Sequence, residues 1–212
     1  VNLLTDNRAA PTLTGTANLG PGESLQVQFH GQSYSVGDGN LSLSGNIWTL
    51  QVPSSQGVVD DGAYDVTAIV SDSAGNSSAD ATSGEYVLDT ALPEVPTVNL
   101  LLTNSSTPVI TGTANLAADE SLSVEVDGLT YVPGDGSLNL TGSTWALTIP
   151  IADSLAEGTY DVTATSVDAL GNFATDLTTD EVVIDRTPPA IPTVNSLIDN
   201  DATPLLTGTA QL

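Results

Sequence analysis

"LTGTANLGPGESLQVQFHGQSYSVGDGNLSLSGNIWTLQVP", Leu13 to Pro53, returns as "ITGTANLAADESLSVEVDGLTYVPGDGSLNLTGSTWALTIP", Ile110 to Pro150, at an offset of 97. Inside both copies apolar and polar residues alternate with period two, and Thr and Val are prominent, the pattern of half-buried strands. G-D-G, D-G and S-G turn signals separate these runs at intervals of about 8–12 residues. No stretch carries a 3.6-residue period. Seven or so short strands in one repeat predict an antiparallel β-sandwich.

Working outward, a one-residue deletion shortens the offset to 96 and aligns "DDGAYDVTAIVSDSAGN" with "AEGTYDVTATSVDALGN". The joints then match: "EYVLDTALPEVPTVNLL" (Glu85 to Leu101) and "EVVIDRTPPAIPTVNSL" (Glu181 to Leu197). A further copy opens at "PTVNSLIDNDATPLLTGTAQL". The expected organisation is a module over 1–95, a second over 96–191 and the start of a third over 192–212. The chain therefore reads as an excerpt of an array, and targeting signals would lie outside it.

Two details refine the sandwich. "DDGAY" and "AEGTY" predict a tyrosine corner at Tyr64 and Tyr160, opening the sixth strand. Trp48 and Trp145 fall on the fifth strand and are expected in the core. The fold class is all-β, with tandem immunoglobulin-like sandwiches lacking the antibody disulfide, since there is no cysteine.

Composition narrows the function. Against 26 acidic residues stand two arginines, Arg8 and Arg186, and the formal net charge is −24. Such a chain is repelled by nucleic acid and by anionic membrane surfaces. No apolar run reaches the ~18–20 residues of a membrane span. With 40% apolar residues in alternation the chain is ordered. The single histidine, His30, has Asp127 at the matching place, and is read as a solvent-facing strand residue. No G-x-S-x-G elbow is present. Catalysis is not expected.

The combination "TPxLTGTA", "GxWxLxIP", "GTYxVTAxxxDxxGN" and "VxIDxTxP" resembles the bacterial immunoglobulin-like repeats of giant surface adhesins, including the repeats-in-toxin biofilm adhesins of Gram-negative bacteria. The glycine–aspartate nonapeptides that name the toxin family are absent. The resemblance implies non-catalytic extender modules, stacked in arrays that hold a binding tip away from the cell, with Ca²⁺ commonly rigidifying the linkers.

The acids that recur between repeats are the candidates for that cation, because Ca²⁺ takes six to eight hard oxygen ligands. If strand directions alternate, the loop "DALGN" (Asp168 to Asn172) lies at the entry pole of the second module. The exit residue Asp89 of the first would then arrive beside Asp168 and Asn172, with Asp61 and linker carbonyls near Thr90 close by. Asp185, Asp72 and Asn76 are the counterparts in the other copy. Solvated strand ends and hairpin turns are the competing readings. Asp38 and Asp135, within "GDG", are read as turn residues, Asp65 and Asp161 as solvent-facing, and "DNDATP" as a loop. The expected cofactor is Ca²⁺, the expected partners are neighbouring repeats of the same chain, and the expected state is a monomer at the bacterial surface or secreted. A carbohydrate-binding or homophilic module, or a spacer inside a secreted enzyme, are the alternatives.

Overall fold

The structure, a computed structural model, describes residues 1–211. The first repeat contains β1 (Leu4–Asp6), β2 (Thr12–Thr16), β3 (Ser24–Phe29), β4 (Gln32–Ser35), β5 (Leu41–Ser44), β6 (Ile47–Gln51), β7 (Gly62–Tyr64), β8 (Val66–Ser71), β9 (Ser77–Ala79) and β10 (Tyr86–Leu88). The second contains β11 (Thr97–Val98), β12 (Leu101–Thr103), β13 (Val109–Thr113), β14 (Ser121–Val126), β15 (Leu129–Tyr131), β16 (Leu138–Thr141), β17 (Thr144–Thr148), β18 (Gly158–Tyr160), β19 (Val162–Val167), β20 (Phe173–Thr175) and β21 (Val182–Ile184). Beyond it lie β22 (Thr193–Val194) and β23 (Gly208–Thr209). Two compact units divide the chain. One takes Val1–Pro96 with Ala114–Leu122 and Thr165–Thr175; the other takes Thr97–Thr113, Ser123–Ala164 and the chain from Asp176 on.

Within the first unit, one sheet has the order β2-β6-β5 and another β4-β3-β8-β9, with β1-β10-β7 as a third set. The alternation predicted from sequence sets the inward face: in β3 Leu25, Val27 and Phe29 are buried while Ser24 and Gln28 are exposed. Each such burial contributes about 1.5–3 kcal/mol. The chain enters along one sheet and then changes to another. Asn2 N–H donates to Thr14 O, whereas β1 pairs in parallel with β10.

The second unit repeats these devices. β13 and β17 pair antiparallel with β16 beyond, and β12 pairs in parallel with β21. Ile110, Trp145, Leu147, Val162, Val182 and Ile184 are buried there. β22 pairs with β23 through Thr193 with Thr209 and Val194 with Gly208, matching Thr97 with Thr113 and Val98 with Gly112.

Both tyrosine corners form: Tyr64 OH donates to Asp60 O and Tyr160 OH to Ala156 O. His30 is not a strand residue as expected from sequence. It sits in the two-residue turn between β3 and β4, with φ of 47° followed by 75° at Gly31. Two successive positive φ values make the hairpin turn that matches strand twist. Asp127 and Gly128 do the same in the second repeat, at 52° and 76°.

Trp48 and Trp145 are fully buried, each over a glycine of the paired strand, Gly15 and Gly112. A Cβ on Gly15 would lie 2.5 Å from the Trp48 ring, and one on Gly112 2.4 Å from the Trp145 ring. The Trp145 indole N–H also donates to Thr97 O at 3.1 Å. The position matching Thr97 in the first repeat is one residue before Val1, and Trp48 Nε1 has no partner among the described residues. Gly112→Ala is expected to lower stability by about 1–3 kcal/mol through overpacking, read as a lower midpoint in urea unfolding; an unchanged midpoint would refute this account of the glycine.

Candidate functional site

The seam around Asp89 lies inside the first compact unit. Asp89 ends the strand pairing of β10, its N–H donating to Asp6 O at 3.1 Å. Its carboxylate Oδ1 accepts the Ala91 N–H at 3.1 Å, turning the chain into the proline-bearing stretch. Asp61 Oδ1 accepts both the N–H and the hydroxyl of Thr90, at 2.9 and 2.8 Å. These bonds leave the second oxygens of Asp61 and Asp89 outside them.

The D-x-x-G-N loop approaches the same place. Asp168 Oδ1 accepts the N–H groups of Leu170 and Asn172, and Oδ2 accepts the Asn172 side-chain amide at 2.8 Å. That amide also donates to Asp89 O at 3.1 Å. Asn7 Nδ2 donates to Asn172 Oδ1 at 3.2 Å. Desolvation works to raise the Asp168 pKa, but the side-chain and backbone bonds from Asn172 outweigh it and hold the carboxyl below its ordinary value.

Of the residues singled out from sequence, Asp89, Asp168 and Asn172 are thus brought together, with Asp61 joined through Thr90. Asp89 meets Asn172 through its backbone carbonyl and not its carboxylate. Asp72 and Asn76 form the same loop in the first repeat, between β8 and β9. There Asp72 accepts Ala74 N–H, Asn76 N–H and the Asn76 amide, and its pKa is lowered, the Asn76 side chain first among the causes. Asp185 Oδ1 accepts Thr187 N–H, and the Thr187 hydroxyl donates to Glu157 at 2.6 Å.

Other contacts at the seam carried less signal. Ser166, fully buried where the first repeat has Val70, donates to Glu94 O at 2.8 Å. Asn115 Nδ2 donates to Glu94 Oε2 at 3.0 Å. Glu94 has alanine, Ala190, at its matching place, so recurrence could not flag it. Asn7 does recur, as Asn104 and Asn200, and could have been found.

Every donor at this seam is oxygen or amide, which suits a hard cation such as Ca²⁺. The donor type fits. Among the described residues, however, no three His, Cys, Asp or Glu side chains form a ready metal cluster. A cation here would draw on Asp89 and Asp61 together with amide and backbone oxygens. Elsewhere, Asp38 and Asp135 serve as turn residues, each accepting three backbone N–H groups. Asp65 and Asp161, exposed as expected, accept Gly84 N–H and Asp180 N–H. No helix is long and apolar enough to cross a membrane.

A family model described as a bacterial Ig-like domain matches the chain twice, over residues 3–90 and 100–186. No match is found among curated proteins. Among solved structures, a fragment of a 1.5-MDa bacterial ice-binding adhesin aligns over 88% of this chain and 62% of its own, with 19% identity and a TM-score of 0.46. The titin I-band fragment I67–I69 aligns over 100% of this chain and 73% of its own, with 13% identity and a TM-score of 0.45. Fibronectin(III)-like modules of Clostridium thermocellum CbhA align over 86% and 88%, with 12% identity and a TM-score of 0.37.

Two outcomes follow from the geometry. Asn172→Ala removes the bonds to Asp89, Asp168 and Asn7, and is expected to cost about 1–3 kcal/mol in denaturant unfolding. Asn76→Ala, exposed and bonded only within its loop, is expected to cost less; equal losses would remove the special role of the seam. The loop aspartates Asp38, Asp72, Asp135 and Asp168 all have lowered pKa values. Their contribution is present above the ordinary carboxylate range and is lost as pH falls through the lowered folded values. Thermal midpoints should therefore hold from pH 7 to about 5 and fall below about pH 4, less steeply in Asp135→Asn.

Proposed function

The chain belongs to the bacterial Ig-like domain family, and we propose that its tandem domains are extender modules of a secreted or surface-anchored bacterial adhesin. Their task is spacing, not catalysis. The observation that carries this reading is the recurrence of one domain with one joint, together with the way that joint is held. Asp89, Thr90 and Glu94 are each fixed by hydrogen bonds to residues outside the linker. Pro93 and Pro96 add stiffness by fixing φ. A linker tied in this way favours a defined direction over free rotation, which is what reach requires.

The charge pattern suits the same task. An array with 26 acids and two arginines per such stretch repels its neighbours, which opposes sticking and strand exchange. His30, the single imidazole, sits on an exposed turn between β3 and β4.

The finer reading adds Ca²⁺ at Asp89, Asp61, Asp168 and Asn172, with Asp185, Asp72 and Asn76 as counterparts in the array. When bound, the cation would draw carboxylates that otherwise repel by about 1 kcal/mol per close pair in water into one shell. Asp61 and Asp89 would supply the charge, while Asn172 would orient the loop against the Asp89 carbonyl. Small-angle scattering and thermal unfolding, each with millimolar Ca²⁺ and with chelator, test this. A longer particle and a higher midpoint in Ca²⁺, both largely lost in Asp89→Ala, are expected. Identical curves in both conditions would leave the joint metal-free, and a compact, flexible particle in both would overturn the extender role.

A further inference from the structure

The β3–β4 turn of the first domain gathers rings that the second domain folds without. Phe29 lies 5.8 Å from Tyr86 and 6.3 Å from Tyr64, centroid to centroid. The His30 imidazole lies 5.8 Å from Tyr64, edge-on at 71°. At the matching places the second domain has Val126, Val182, Tyr160 and Asp127. Phe29 and Tyr86 are buried, and valine fills their places in the second core. His30 is exposed, so packing does not demand its ring. It is nonetheless held, by the positive φ of the turn and by the rings behind it.

Beside the imidazole opens a cleft of about 310 Å³, walled by Gln28, Gln32, Ser33, Asp65 and Thr67. That is the lower end of the range for small-molecule sites. Strand register puts three of these residues in one row. Gln28 pairs with Ser33 of β4 on one side and with Thr67 of β8 on the other. Directly paired residues share a sheet face at about 4.5–5.5 Å, so hydroxyl, amide and hydroxyl line up across three strands. Gln28 Nε2 donates to Gln26 Oε1 at 3.3 Å, and Asp65 Oδ1 accepts Gly84 N–H at 2.7 Å. Gln28 Oε1, its second amide hydrogen and Asp65 Oδ2 lie outside those bonds.

The second domain has a cleft at the same place, of about 380 Å³, but there the walls carry Glu125, Asp127 and Asp161. Glu125 and Asp127 replace Gln28 and His30, and Leu129 replaces Gln32. Carboxylates only accept hydrogen bonds, whereas an amide or an imidazole also donates. A sugar hydroxyl carries one proton and two lone pairs and is best met by both kinds of partner. The first cleft offers both, next to a ring against which apolar sugar C–H groups can rest. The net charge of −24 disfavours an anionic ligand.

We propose that the cleft at the β3–β4 turn of the first domain binds one ring of a neutral saccharide. Gln28, Gln32 and Asp65 take its hydroxyls, and the His30 imidazole takes an apolar face. The acidic cleft of the second domain does not serve this ligand, so two domains of one fold differ in what they bind. The site lies on a sheet face of the first domain and does not depend on the joint or on the spacing role.

The test is a titration of the isotope-labelled full chain with glucose, galactose and N-acetylglucosamine, and with oligosaccharides ending in each, followed by amide NMR shifts. At least one is expected to saturate with a Kd on the order of 1 mM, its shifts centred on the residues that wall the first cleft. The single sugars and the oligosaccharides separate a free ligand from the end of a glycan chain. The double variant Gln28→Glu with His30→Asp installs the residues that the second domain carries at these places, and is expected to weaken binding about tenfold or more. Gln32→Leu, likewise taken from the second domain, is expected to weaken it severalfold and reads the site should the double variant fail to fold. No saturable shift with any of these sugars, equal shifts around Glu125 and Asp127, or unchanged binding in the variants would overturn the proposal.

Discussion

An indole packed on a bare glycine sets the frame of each domain. Trp145 needs the face of Gly112, since a Cβ there would run into both the ring, at 2.4 Å, and the Thr97 carbonyl oxygen, at 1.9 Å. Because β13 and β17 pair through these two residues, the ring fixes the register as well as the packing. In the second domain the indole N–H then holds the Thr97 carbonyl, and Thr97 is the residue with which the entering chain first joins a sheet. The core thereby dictates where the linker stops being a linker. A buried indole N–H usually finds a partner, and for Trp145 that partner is the incoming strand.

From that anchor the chain moves to the other sheet within a few residues, and the terminal strand β21 or β10 closes beside it. Asp89 and Asp185 therefore end strands whose neighbours are the first strands of the same domain. Hydrogen bonds to Asp89, Thr90 and Glu94 continue the ordering of the chain past the end of that strand.

Much of this was legible in the residues. Alternation in "SLSVEV" and "SLQVQF" placed the strands and their inward faces, the spacing "GAY" and "GTY" placed the corner, and the repeat placed the modules' matching loops. What escaped was carried by atoms that leave no mark on composition. Asp89 engages Asn172 through a carbonyl that every residue possesses. Asn76 and Asn172 share a motif, yet only Asn172 is buried, which depends on what lies against it. Nothing in composition marks Glu85 and Glu181 as buried; their burial follows from a strand break whose N–H group needs an acceptor. His30 followed an alternating run and read as its continuation, whereas the Gly after it marked a turn.

The parallel pairing of the first and last strands has a mechanical consequence. A chain pulled along its length draws Leu4–Asp6 one way and Tyr86–Leu88 the other, along the common strand axis. The hydrogen bonds between them are then loaded side by side and must yield together, whereas a hairpin pulled at its open end parts one bond at a time. Leu101–Thr103 against Val182–Ile184 repeats the arrangement. Each domain so built resists tension at the place where force enters and leaves it, and in a series of such domains the weakest of these short clasps sets the load at which the whole begins to lengthen.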